Sequence, residues 1–165
     1  MKPLVLVYSH DGVFSSVKQE TSLLAVRTFD KEGNTLFEEL VFDEAYPEKF
    51  RELFLDAQAE ILPILSEYMK DRPERPDFFE LRDLTDDRDF EVVLLLPDDF
   101  ITAMYKAVDI KINQALISYI VYRWLETKLS AEAAVFKERF EELLSGIKSL
   151  LSKRSKPTRI NHKWF

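Results

Sequence analysis

The chain of 165 residues has no cysteine, three glycines and two histidines, and each shortage removes a class of chemistry. Without cysteine there is no thiol nucleophile, thiolate zinc site or iron–sulfur cluster. A chain of this length buries roughly 70% of its unfolded surface and needs no disulfide to fold. Three glycines supply no Gly-rich, phosphate-cradling loop of the P-loop or dinucleotide kind. Long hydrophobic runs are missing too. The longest, residues 115–125, is interrupted by Ser118 and Arg123 and falls short of the roughly 20 residues that span a bilayer. Residues 4–8 are too few for a signal-peptide core. These absences predict a soluble protein with no membrane partner, located in the cytoplasm. What is present, 46% apolar and 32% charged residues, suits one globular domain over residues 1–152 followed by a tail, 153–165.

The formal net charge of −7 is the sum of two unlike parts. From residue 153 onward the chain carries Lys153, Arg154, Lys156, Arg159 and Lys163 and no acid. Set apart, those five leave eighteen bases against 30 acids, a body of −12. An acidic body repels nucleic acid and anionic membrane, whereas a basic tail seeks an acidic surface. Trp164 and Phe165 add two aromatics beyond the basic residues, and aromatic and Arg side chains are over-represented as binding anchors. The tail is therefore read as a partner-binding arm that orders on its target, with a simply frayed terminus as the alternative.

Along the chain, the first 45 residues read as β structure. A strand over 4–8 ends in a turn, Ser9-His10-Asp11-Gly12, and runs at 23–29 and 35–42 flank the loop 30–34 as a hairpin. Pro47 opens a helix over 47–70 whose apolar residues recur at helical spacing, and Pro63 is expected to kink or split it near Leu62. The run Val92-Val93-Leu94-Leu95-Leu96 predicts a strand over 90–96 buried on both faces, in the middle of the sheet. Pro97, Asp98 and Asp99 start a helix over 98–128 whose second half is apolar on nearly every side, so that it lies at the centre of the fold or against another subunit. Ser130 caps a last helix over 131–152. Its residues Phe136, Phe140, Leu143, Ile147 and Leu150 form a narrow seam for an antiparallel neighbour, and Gly146 suggests close helix approach. The fold class is α+β: a small N-terminal sheet, antiparallel or mixed, packed with three main helices, the last two forming a helical hairpin.

Chemistry-bearing clusters are few. Asp83, Asp86, Asp87, Asp89, Asp98 and Asp99 form the one group that could attract a divalent cation, but their spacing follows no calcium-loop pattern, and a solvated loop is the expected reading. His10 and His162 have no nucleophile and acid at the spacing of a triad and are expected at the surface. No cofactor and no small-molecule substrate are implied. On the longest helix, Tyr119, Tyr122, Arg123 and Trp124 mark a candidate subunit interface. An arginine inside so apolar a run either snorkels out or pairs with a carboxylate, within the chain or across a subunit boundary.

The segments Leu96-Pro97-Asp98-Asp99-Phe100, Ile117-Ser118-Tyr119-Ile120-Val121-Tyr122-Arg123-Trp124-Leu125-Glu126, Ala133-Ala134-Val135-Phe136 and Lys153-Arg154-Ser155-Lys156-Pro157-Thr158-Arg159 together resemble a family of uncharacterised proteins from prophage-like gene clusters of gut anaerobic bacteria. The helical pair with a basic tail is also similar in architecture to the head–tail connector (neck) proteins of tailed phages, which assemble in rings. The resemblance implies a non-enzymatic virion or prophage-like structural protein that forms homo-oligomers or docks on a neighbouring virion-type protein. Two alternatives remain at this point: a nucleic-acid-associated protein clamping phosphates with the tail, or a magnesium-dependent phosphoesterase built on residues 83–99.

Overall fold

The computed structural model describes residues 2–69 and 89–153. In chain order these form strand β1 (Lys2–Tyr8), helices α1 (His10–Arg27), α2 (Phe37–Leu40) and α3 (Pro47–Leu65), strand β2 (Phe90–Leu96), and helices α4 (Tyr105–Leu125) and α5 (Ser130–Leu151). The class is α+β, with a small antiparallel sheet and a C-terminal helical hairpin.

The strands pair in one unbroken register from Lys2 opposite Leu96 to Tyr8 opposite Phe90. Alternation puts Leu6, Tyr8, Phe90, Val92, Leu94 and Leu96 into the core. Glu91 is exposed and Val93 and Leu95 are half-buried, so β2 covers one face rather than two. Its far edge carries a single bridge, from Leu94 to Met69, among the described residues. The continuous apolar run thus overstates burial, because the outer face of this sheet also tolerates Val5 and Val7, both exposed.

The largest departure from the expected order is α1. Residues 10–27 are helical, so the strand expected at 23–29 is absent and the turn expected at 9–12 is a helix start. Ser9 is the N-cap, its hydroxyl accepting from the Gly12 N–H at 2.9 Å, and Asp11 sits in the first turn where the helix dipole favours an acid. Val13, Val17, Thr21 and Ala25 then recur every fourth residue and are buried. Helical burial along that stripe outweighs the β propensity of the branched residues. The loop at 30–34 does form: Asp30 accepts from the N–H groups of Glu32 and Asn34, and Gly33 takes a positive φ of 84°. It closes on one bridge, Phe29 to Thr35, after which the chain turns into α2 instead of a third strand.

Helix α3 runs through Pro63 without splitting and passes into a single 3-10 turn, Ser66–Tyr68. Pro63 stands in the last turn of α3, where its missing N–H removes the one bond that the Ala59 carbonyl would otherwise accept, and the helix continues to Leu65. Helix α4 begins later than expected. The Phe100 N–H bonds back to the Pro97 carbonyl at 3.0 Å, a 3-10 turn follows at Thr102–Met104, and Asp98 and Asp99 therefore precede the helix instead of capping it. Leu129, not Ser130, occupies the N-cap position of α5, and no side chain caps it.

Helix α4 is the centre of the molecule, packed against α5, α3, α1 and β1. Its all-round apolar character is answered inside the chain: Val108, Ile112, Leu116, Ile120 and Val121 are fully buried. Across the hairpin, Gly146 admits the stem of Lys111, whose Nζ lies only 3.0 Å from where a Cβ would stand, so a side chain rather than a helix backbone uses the gap.

Candidate interaction surfaces

The residues singled out on α4 divide into two groups. Trp124 points inward. Its indole N–H donates to the Leu40 carbonyl at 2.7 Å, and its ring lies 4.3 Å from Phe42 and 5.2 Å from Tyr46. The Lys128 ammonium stands 3.1 Å above the same ring and donates to the Glu39 carbonyl at 2.8 Å. Burial pushes the Lys128 pKa down, against the pull of Glu39 and Asp43. This cluster fastens the end of α4 to α2, and Trp124 itself is buried within the chain.

Tyr119, Tyr122 and Arg123 face outward, over the side where α4 meets α5. Tyr119 packs 5.1 Å from Phe140 and edge-on to Tyr122 at 6.0 Å. Tyr122 and Arg123 both donate to the Glu126 carboxylate, at 3.2 and 3.1 Å. The carboxylate partner expected for Arg123 is thus one turn away on its own helix. Desolvation opposes the arginine's charge, but Tyr122, Tyr119 and Glu126 outweigh it and hold its pKa above the ordinary value. For Tyr119, burial is the main cause of a raised pKa, with Arg123 acting against it and Asp56 and Glu60 adding to it.

Of the tail, Lys153 is described: its N–H bonds to the Leu150 carbonyl at 3.1 Å, at the end of α5. Arg154, Lys156, Arg159, Lys163, Trp164 and Phe165 lie outside the described residues, as do His162, Asp83, Asp86 and Asp87. The remaining acids of the expected cluster do not converge. Asp89 stands before the first residue of β2 and Asp98 and Asp99 after its last, separated by a strand of seven residues, about 23 Å. Asp89 accepts from the His10 N–H at 2.9 Å. His10 is not a surface histidine: its side chain is 15% exposed and sits edge-on to Phe50 at 4.9 Å and Phe54 at 5.6 Å. Among the described residues no three His, Asp or Glu side chains are grouped as a metal site would need, and no helix is long and apolar enough to cross a membrane.

A surface that the sequence reading missed lies at the end of the molecule beside the α4–α5 turn. Leu23 and Val26 on α1, Phe29 in the following loop and Phe37 at the start of α2 are 42–60% exposed. Phe29 and Phe37 stand on the outer side of the loop while Thr28 and Leu36 turn inward, tied by the bond from the Leu36 N–H to the Thr28 carbonyl at 3.4 Å. An open cleft of about 470 Å³ is lined by Thr35, Leu36, Phe37, Glu38 and Glu39. Residues 27–44 carry six acids and two bases, and two of those acids, Glu38 and Glu39, line the cleft beside Phe37 as an acidic rim. The signal was available once α1 is a helix. With 13, 17, 21 and 25 facing inward, Leu23 and Val26 must face outward.

No family model matches the chain, and the comparisons with curated proteins and with solved structures found no match.

Proposed function

We propose that this chain is a non-enzymatic structural or assembly protein of the phage or prophage-like, connector kind, acting by self-association and by docking on neighbouring proteins. The observation that carries the reading is the placement of two complementary features at opposite ends of the helical hairpin. An apolar, acid-rimmed patch lies beside the α4–α5 turn, and the basic residues of the tail follow α5 at its other end. Exposed clusters of large apolar side chains with a polar rim mark protein interaction sites. The acidic body disfavours nucleic acid as the tail's target, and among the described acids of the 83–99 segment Asp89 stands at one end of β2 and Asp98 and Asp99 at the other, an arrangement that favours the assembly reading over a phosphoesterase centre.

Native mass spectrometry of the full chain at micromolar concentration tests the reading. Oligomers of defined stoichiometry, or a stable complex with the product of an adjacent gene, are expected. A strict monomer without affinity for any such product overturns it.

A further inference from the structure

The patch beside the α4–α5 turn has four exposed apolar side chains, Leu23, Val26, Phe29 and Phe37, and two flanking acids, Glu38 and Glu39. An apolar floor with an acidic rim calls for a ligand that combines aromatic groups with positive charge. Within this sequence one segment has that composition. Residues 153–165 hold five bases and no acid and finish in Trp164 and Phe165. Aromatic side chains bury large apolar areas, and Lys and Arg beside them can meet the rim carboxylates.

Geometry decides whose tail it is. Thr28 lines a cleft together with Lys128, Leu129, Ser130, Ala131 and Glu132, which places the patch beside the start of α5. The tail follows Lys153, beyond the far end of that helix. Helix α5 has 22 residues and is about 33 Å long. The twelve residues 154–165 span at most about 40 Å when drawn straight. To reach the patch of its own chain, the tail would have to double back along the whole of α5 with almost no residue to spare for a turn or for seating its aromatics. A neighbouring copy set end to end removes that restriction.

We infer that residues 154–165 of one copy dock on the Leu23–Val26–Phe29–Phe37 patch of the next, so that the chain associates head to tail. This deepens the assembly reading and rests on it. The contact is heterologous: two different surfaces meet, and each copy retains one of each for a further neighbour. Such a contact closes into a ring where the rotation between copies permits and otherwise extends as a filament.

The decisive experiment mixes two defective chains. One lacks residues 154–165 and keeps the patch. The other carries Phe29→Ser and Phe37→Ser and keeps the tail; both positions are exposed, so the core is untouched. Each alone should be monomeric in light scattering coupled to gel filtration. Mixed, they should form a one-to-one pair and nothing larger, because one patch and one tail remain. In a second measurement, a synthetic peptide of residues 153–165 should bind the tail-deleted chain saturably, and Glu38→Lys with Glu39→Lys should weaken it about tenfold or more, as reversal of two facing charges requires. If the full chain oligomerises but both single defects leave the oligomer intact, the head-to-tail docking is wrong while self-association stands. A mixture that stays monomeric, or a peptide that does not bind, also overturns the docking. A full chain that is monomeric under all conditions removes both.

Discussion

The hydroxyl of Thr21 serves two elements at once. It donates to the Val17 carbonyl at 2.9 Å in the preceding turn of α1 and accepts from the Phe42 N–H at 3.0 Å in the segment after α2. Thr21 and Phe42 are both fully buried, so the Phe42 amide has no water to replace that acceptor. Thr21→Val keeps the shape and removes the oxygen. The expected loss is about 1–3 kcal/mol, the cost of stranding one buried donor, read as a lower midpoint in urea unfolding. An unchanged midpoint would mean that the amide finds another partner. Nothing in the sequence marked Thr21 for this task, since its acceptor role depends on a residue 21 positions away. The ring of Phe42 was equally silent. It is expected on a strand face but stands at the hub of an aromatic cluster, 5.8 Å from Phe50, 6.3 Å from Phe14 and 4.3 Å from Trp124. Pairs of this kind contribute about 0.5–1.5 kcal/mol each beyond the area they bury.

Among the elements, the four-residue helix α2 is the one least able to form alone, because nucleating a single turn fixes several dihedrals for one hydrogen bond. It is held from outside. The Trp124 N–H bonds to the Leu40 carbonyl, and the Lys128 ammonium bonds to the Glu39 carbonyl, so two carbonyls at its C-terminal end are satisfied by α4 and the turn beyond it. Trp124→Phe keeps most of the ring contact and deletes the donor. Amide hydrogen exchange over residues 37–42 should accelerate about five- to thirtyfold, matching a loss of about 1–2 kcal/mol for that one bond. Exchange elsewhere in α4 should change little, and uniform acceleration across the chain would show that the bond supports the whole core instead. At this scale α3, α5 and β2 were legible from periodicity, Pro47 and the apolar run, because each carries its own signal within a dozen residues. Helix α1 was not. Ser9 and Gly12 read as a turn and Leu23–Phe29 as strand formers, and only burial of the 13–17–21–25 stripe against the rest of the fold decides between the two.

For the whole molecule, stability as a function of pH follows from groups held away from their ordinary ionisation. The backbone N–H of Asn34, then its side-chain amide, keep Asp30 below the usual carboxylate range, and the Lys18 ammonium does the same for Glu44. A carboxylate lowered in the fold stabilises above its unfolded pKa, near 4, and that contribution is lost as pH falls through the folded value. Tyr8 has the opposite sign. Burial first, and the charge of Asp109 second, raise its pKa far above the usual value, so the fold keeps the proton that the unfolded chain releases near pH 10. Its contribution is intact below that pH and lost as pH rises beyond it. Urea unfolding at a series of pH values should therefore show a plateau bounded by an acid limb and an alkaline limb, and Tyr8→Phe should flatten the alkaline limb alone. An alkaline limb unchanged in the variant would assign it to other groups.

The sequence by itself determined the class, the helical hairpin, the pairing potential of residues 4–8 and 90–96, and the polarised charge, since these rest on composition, local periodicity and the covalent order of charges. Tertiary structure decided what those features face. It turned the second and third expected strands into α1 and α2, because the core had a place for one stripe of small and branched residues and none for two more strands. It also moved the apolar surface available to a partner. Most of the hydrophobic helix α4 is covered by its own chain, leaving Ile110 exposed and Tyr119 and Tyr122 half-buried, and Trp124 is consumed in anchoring α2, whereas Leu23, Val26, Phe29 and Phe37 are left outside. Whether an apolar side chain is core or contact surface depends on which elements pack over it, and packing between residues far apart in the chain has no local signature.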